Sequence, residues 1–179
     1  MKYKILATIS TTALLFILLV SYDSVPQQSP SQIVRQQRRT LRAEARQERY
    51  AQETRYIDSL IQSRNWQFTP TSISQFTGPT QSIFRNYYID VWDNYIRVYL
   101  PYYKGYINQY LTILNFDILS PHDYTIEKIQ DGWHITFSGT DFTGNTYTFV
   151  FDISTPSGYV NLEIRSAFYN SVSYSGSIN

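Results

Sequence analysis

A run of alternating apolar and polar residues from Tyr87 to Leu100 constrains the fold more than any other feature of the sequence. A two-residue turn at Asp93-Asn94 sets Trp92 opposite Tyr95 and fixes every other pair between the two arms. One face receives the pairs Val91 with Ile96, Ile89 with Val98 and Tyr87 with Leu100, and the other receives Asp90 with Arg97, Tyr88 with Tyr99 and Trp92 with Tyr95. Because a slip of one residue would reverse both faces, the sequence predicts an antiparallel hairpin with one apolar and one aromatic face.

Two more turns predict hairpins further along the chain. The pair Asp131-Gly132 suits a type I′ turn, because glycine readily takes the positive φ that this turn needs. A four-residue loop from Thr155 to Gly158 joins two alternating runs. These turns place Trp133, Ile135 and Phe137 on one face and pair Ile153 with Val160, Phe151 with Leu162 and Phe149 with Ile164.

Upstream of the strands, the segment from Gln32 to Arg64 contains no Gly or Pro and predicts one long helix. Ser31 is the expected N-cap. Most of the helix is polar on every face, and apolar helical spacing is confined to its end, at Tyr50, Thr54, Ile57 and Ile61. Only the last three turns are therefore expected to dock on a core.

The predicted fold class is mainly β with one N-terminal helix. Further alternating runs at 66–74, 111–118 and 172–178 bring the sheet to an antiparallel meander of about eight strands. Because the edges of such a sheet must be covered, we expect a curled sheet, a barrel or a sandwich, packed by the end of the helix.

The N-terminus has the layout of an export signal. Lys2 and Lys4 precede an uncharged, mostly apolar run from Ile5 to Tyr22, and the small-residue pattern of a cleavage site is poor. We therefore expect an exported protein of the periplasm or cell envelope, either cleaved or anchored by residues 5–22. The predicted organisation is 1–24 export signal or uncleaved anchor, 25–31 tether, 32–64 Arg-rich helix and 65–179 antiparallel β domain.

Charge is unevenly distributed along the chain. Residues 25–64 hold 8 Arg and 4 acidic residues, whereas residues 65–179 hold 5 basic and 9 acidic residues. Because an exported chain meets no genome, we expect no nucleic-acid partner, and we expect membrane contact only through the N-terminal segment. The favoured interpretation of the helix is a solvated spacer, with electrostatic contact to lipid headgroups or to the acidic β domain as alternatives.

The sequence offers few groups for chemistry. It has no cysteine and only two histidines, His122 and His134, without the spacing of a zinc site. The acidic residues of the β domain are scattered, and no phosphate-binding glycine loop is present. We therefore predict no catalytic residue, no metal and no cofactor.

The most distinctive candidate surface is rich in tyrosine. Tyrosine buries area at little entropic cost and keeps a hydroxyl for hydrogen bonds, which suits a glycan, a lipid or another envelope protein. The predicted function is a non-catalytic binding or structural module. The alternatives are a carrier of lipid or a small ligand in a β barrel, and a small envelope hydrolase with His122 or His134 beside a carboxylate and a hydroxyl. The candidate binding residues are Tyr88, Trp92, Tyr95, Tyr99, Tyr102, Tyr103 and Tyr106.

Several short motifs resemble those of a known family, the Bacteroidetes exported family called domain of unknown function 4251. The motifs are Trp66-x-Phe68, Tyr88-Ile89-x-Val91, Tyr99-Leu100-Pro101-Tyr102, Tyr124-Thr125-Ile126, Gly132-Trp133-x-Ile135, Gly158 and Tyr174-Ser175-Gly176-x-Ile178. The resemblance spans Gln32 to Ile178 and implies a cell-envelope protein of Gram-negative bacteria. It implies no activity and no functional residue. Some such proteins look like lipoproteins, but this chain has no cysteine to carry the lipid.

Overall fold

The computed structural model describes residues 29–75, 78–105, 110–119, 121–155 and 157–179, with His122 described by its backbone alone. Two units are distinguished: the first ends at Ala45, and the second, Arg46–Asn179, holds the end of the helix and the whole sheet. The elements are α1 (Pro30–Ser63), β1 (Asn65–Gln75), β2 (Gln81–Ser82), β3 (Tyr88–Trp92), β4 (Tyr95–Lys104), β5 (Tyr110–Leu119), β6 (His122–Ile129), β7 (Gly132–Thr140), β8 (Thr146–Ser154), β9 (Tyr159–Ser166) and β10 (Val172–Ile178).

The ten strands form one antiparallel sheet in the order β5-β4-β3-β1-β10-β9-β8-β7-β6, with the short β2 also paired to β1. If β2 is left aside, each strand pairs with the next strand in the sequence, except that β5 does not pair with β6. In addition, the first strand, β1, pairs with the last strand, β10. The predicted meander is thus confirmed, with ten strands instead of about eight. Among the described strands the sheet stays open between β5 and β6, so it is curled but not closed into a barrel.

The hairpin of β3 and β4 has the predicted register. Trp92 pairs with Tyr95 across the turn, and the pairs continue to Tyr88 with Tyr99. Asp93 adopts a positive φ of 38° in this turn. The predicted pair of Tyr87 with Leu100 was wrong, because β3 begins only at Tyr88 and the Tyr87 ring packs against the Tyr99 ring, with centroids 5.3 Å apart.

The turn between β6 and β7 lies one residue earlier than predicted. Ile129 pairs with Gly132, so the turn residues are Gln130 and Asp131. The predicted reason for glycine at position 132 was a positive φ, but the described glycines with a positive φ are Gly105, Gly144 and Gly158. Gly132 is required because a Cβ there would lie 1.8 Å from the carbonyl oxygen of Ile153 on β8. The loop from Thr155 to Gly158 joins β8 to β9, and Ile153 pairs with Val160 as predicted.

The inner face of the curled sheet carries the hydrophobic core. Phe151 lies at its centre, with its ring 5.3 Å from that of Trp66 and 5.7 Å from those of Phe68 and Phe137. The curl brings β5 across to β7, where a Cβ on Gly139 would lie 2.2 Å from the Cδ1 of Ile118. Side chains from both halves of the sheet therefore fill one interior.

Helix α1 begins two residues earlier than predicted, and its N-cap is Ser29. The amides of Gln32 and Ile33 donate to the Ser29 carbonyl, and the Ser29 amide donates to the Gln32 side chain. Pro30 follows in the first helical position, which suits proline because the amide there has no helical partner. Within the described residues no helix is long and apolar enough to cross a membrane. The predicted membrane segment, residues 5–22, lies outside the described residues.

The end of α1 packs on the core as predicted, but over two turns instead of three. Ile57 and Ile61 are buried, whereas Tyr50 remains 50% exposed. Asp58 lies between the two isoleucines in sequence and accepts hydrogen bonds from the indole of Trp133 (2.8 Å) and from Lys128 (2.7 Å). Burial alone would raise the pKa of Asp58, but these two hydrogen bonds and the lysine charge lower it overall.

We expect Asp58→Asn to lower the free energy of unfolding by about 1 kcal/mol, the usual difference between hydrogen bonds to charged and neutral groups. The folded pKa of Asp58 is depressed, so the charged Asp58 contributes to stability above its unfolded pKa, about 3.9. This contribution to stability is lost as the pH falls through the folded pKa. Urea unfolding at pH 7 and at pH 3 measures both effects. Glu53→Gln, on the exposed face of α1, is the control and should change little; equal effects of the two variants would contradict this role for Asp58.

Candidate functional site

Three rows of side chains cross one side of β3, β4 and β5, two of them continue onto β1, and we call this surface the outer face. The register continues from β3 to β4 and on to β5, so residues of neighbouring strands stand side by side. The first row is Tyr88, Tyr99 and Asn115; the polar row is Gln67, Asp90, Arg97 and Asp117; the last row is Asn65, Trp92, Tyr95 and Leu119.

The aromatic rings of the outer rows are arranged in pairs. Trp92 and Tyr95 stack with centroids 5.4 Å apart and 18° between their planes. Tyr88 and Tyr99 lie 5.7 Å apart at 46°. On β4 the two rows are four positions apart, at Tyr95 and Tyr99, which at about 3.3 Å per residue corresponds to about 13 Å.

The polar row between the aromatic pairs is held by contacts across the strands. Gln67 donates to the carboxylate of Asp90 at 2.6 Å, and the Arg97 guanidinium lies 3.7 Å from the Asp117 carboxylate. A hydrogen bond to Asp117 raises the pKa of the Tyr95 hydroxyl and links the last row to the polar row. Arg97 and Asp117 are each about half exposed, so a donor and an acceptor face solvent side by side.

The outer face is accessible to solvent in the described residues. Trp92 is 45% exposed and Leu119 is 74% exposed, and the other three paired rings are partly exposed. The helix end packs elsewhere, against Trp133 and Gly158. The end of α1 therefore does not cover the aromatic face.

The predicted site residues do not all lie on this surface. Tyr88, Trp92, Tyr95 and Tyr99 lie on the outer face, and Tyr103 lies further along the same side of β4, where it donates to Gln81 at 2.9 Å. Including Tyr102 was wrong, because strand alternation turns it inward to full burial beside Tyr147. Tyr106 lies outside the described residues.

A small groove adjoins the outer face at the Tyr103 end. Its volume is about 240 Å³, below the roughly 300–1,000 Å³ of pockets that enclose small molecules. The groove is mainly apolar, and Phe84, one of its lining residues, is 93% exposed. The lining residues include Ile83, Phe84, Tyr87, Pro101, Tyr103 and Leu111.

Three titratable groups outside this surface, Asp141, Tyr147 and His134, have structural partners. Asp141 accepts hydrogen bonds from Thr143, Asn145 and Tyr147; burial acts to raise its pKa, but these bonds hold it below the usual range. Burial and the Asp141 charge raise the pKa of Tyr147. His134 contacts Asp152 at 2.7 Å, where the His134 side chain is 34% exposed and the Asp152 side chain is 56% exposed. No group of three metal-binding side chains occurs among the described residues.

Sequence reasoning missed the polar row as part of the surface. Asp90 and Arg97 were paired correctly, but Gln67 and Asp117 come from strands whose register could not be read from the hairpin alone. Asn115 and Leu119, which end the aromatic rows on β5, were missed for the same reason.

The fold and this surface define a class: a helix-capped, curled antiparallel β domain with an open aromatic face. The chain belongs to the family described as domain of unknown function (DUF4251), whose model matches residues 48–178. A solved structure of a DUF4251 family protein from Bacteroides eggerthii is similar, with a TM-score of 0.56 and 13% identity, covering 70% of this chain and 86% of that chain. No curated protein matches the chain.

Proposed function

We propose that the β domain is a non-catalytic binding module that takes a glycan on its outer face. The observation that supports this proposal is the alternation of rows: two aromatic pairs flank exposed charged groups on one sheet face. Aromatic rings offer flat apolar faces to the C–H side of a sugar ring, and the charged row offers strong hydrogen bonds to its hydroxyls.

The dimensions of the surface favour an extended ligand. The aromatic pairs are separated by about 13 Å along the strands, and three strands about 4.8 Å apart span about 10 Å across. An oligosaccharide of several rings can reach both pairs while its hydroxyls meet Arg97 and Asp117. A single sugar would reach one pair only.

The rival functions find less support. A lipid carrier needs an enclosed apolar cavity, but the interior of the sheet is filled by side chains such as Phe149 and Phe151. A hydrolase needs a histidine in a cleft with a carboxylate and a hydroxyl, and the Asp152 carboxylate that contacts His134 is more than half exposed.

We further propose that the protein is exported and acts in the cell envelope, with residues 5–22 inserted in a membrane. The sequence of that segment supports this location. The solved relative comes from a Bacteroides species, which agrees with a distribution in Bacteroidetes.

The proposed binding is tested with an array of neutral and acidic oligosaccharides, followed by calorimetric titration of the strongest binder. We expect the triple variant Trp92→Ala, Tyr95→Ala, Tyr99→Ala to raise the Kd about tenfold or more, because each aromatic contact contributes about 0.5–1.5 kcal/mol and about 1.4 kcal/mol is tenfold.

The matched control is Tyr159→Ala, which removes a half-exposed ring from β9. It should leave the Kd unchanged. Absence of binding to every oligosaccharide, or equal Kd values for the triple variant and the unmodified chain, would overturn the proposed function.

A further inference from the structure

The first half of α1 carries four arginines on one face, and we call this set the arginine stripe: Arg35, Arg38, Arg39 and Arg42. At 3.6 residues per turn they fall within about 100° of the helix circumference. All four are exposed. Glu44, the only acidic residue between Ser29 and Ala45, lies on the opposite side.

In the described part of the chain, no ion pair includes an arginine of the stripe. Four pairs of its members are three or four residues apart, and like charges at this spacing destabilise a helix exposed to water. An anionic partner along this face would relieve that repulsion, so the charge pattern fits an external anionic surface.

We propose that the arginine stripe docks on the anionic phospholipid headgroups of a bilayer. The chain preceding the helix favours this partner over others, because the run from Ile5 to Tyr22 is the proposed membrane segment. Residues 23–29 reach at most about 25 Å when extended, and Arg35 lies only about 9 Å along the helix from Ser29. The inference rests on the proposed insertion of residues 5–22.

Exposed apolar residues beside the stripe agree with a surface contact. Val34 and Leu41 are seven residues apart, border the stripe and are both exposed. Two such side chains are too few for a helix embedded in the apolar part of the bilayer. The contact is therefore electrostatic, and it acts within about 10 Å at 0.1 M salt.

The full chain in lipid nanodiscs provides the test. Nanodiscs are made from phosphatidylcholine alone or mixed with phosphatidylglycerol, and hydrogen exchange is measured on the amides of residues 30–45. We expect exchange to slow roughly tenfold or more with phosphatidylglycerol, since each basic residue near an anionic surface adds to binding. Salt at 1 M, where screening acts within about 3 Å, should remove the difference.

Variants separate charge from structure. The quadruple change R35Q/R38Q/R39Q/R42Q should abolish the difference between the two nanodiscs, R35K/R38K/R39K/R42K should retain it, and Glu44→Gln is the matched control that should also retain it. Membrane insertion of residues 5–22 is measured separately, by co-fractionation of the chain with phosphatidylcholine nanodiscs. A chain that does not co-fractionate would refute both the insertion and the docking that rests on it.

Three results with a properly inserted chain would overturn lipid docking alone. The first is equal exchange in both nanodiscs, and the second is protection that survives the glutamine changes. The third is protection by soluble polyglutamate without any effect of phosphatidylglycerol, which would indicate that the arginine stripe binds an acidic protein.

Discussion

Phe151→Ala is expected to lower the free energy of unfolding by about 3–5 kcal/mol, the usual range for removing a fully buried phenylalanine ring. Phe151 is completely buried on β8 and contacts the rings of Trp66, Phe68 and Phe137. The loss includes the cavity left behind, because Trp66 and Phe68 are held on β1 and Phe137 on β7, so the rings cannot all close on it. Equilibrium unfolding in urea measures the change.

The same substitution at Phe142 provides a matched control. Phe142 lies in the loop between β7 and β8 and is 91% exposed. Phe142→Ala should change the free energy of unfolding by less than about 0.5 kcal/mol. Similar losses for the two variants would contradict the position of the core described above.

Gly132→Ala is expected to destabilise the fold by about 1–3 kcal/mol, as overpacking usually does. The added Cβ would lie 1.8 Å from the Ile153 carbonyl oxygen and 2.9 Å from its carbon. Both are backbone atoms of the interior strand β8, which is paired on both sides. They cannot move without disturbing two ladders, so the melting temperature should fall.

Gly78→Ala is the control for this prediction, because its added Cβ would approach only the flexible side chain of Gln75, at 3.3 Å. It should change the melting temperature little. A Gly132→Ala variant as stable as Gly78→Ala would mean that β7 and β8 are further apart than the structure has them.

The parts of the fold that depend on local pairing could be predicted from the sequence. In the hairpin of β3 and β4, turn and alternation fix the register together, and all five pairs from Trp92 with Tyr95 to Tyr88 with Tyr99 were correct. At Gly132 the same reasoning failed, because a close approach of β8 requires the glycine and only the tertiary structure shows it. The pairing of β1 with β10 joins residues about a hundred positions apart and has no local signal.

The candidate site was predicted in part for similar reasons. The four rings of the hairpin follow from its register, and continuing the alternation along β4 would also have placed Tyr102 inside. Composition favoured including Tyr102, but the strand period decides which way a side chain points. Asp117 could not be assigned to the surface, because β4 and β5 are joined by five residues, and a connection of this length does not fix the register as a two-residue turn does.

The most direct test of glycan binding on the outer face uses the three tryptophans of the chain. Trp92 lies on the outer face and is 45% exposed, whereas Trp66 and Trp133 are 3% and 6% exposed. In an NMR titration with the best-binding oligosaccharide, we expect the Trp92 indole N–H resonance to shift while the other two stay in place. An unchanged Trp92 resonance at saturating ligand, or a shift of Trp133 instead, would contradict binding at the outer face.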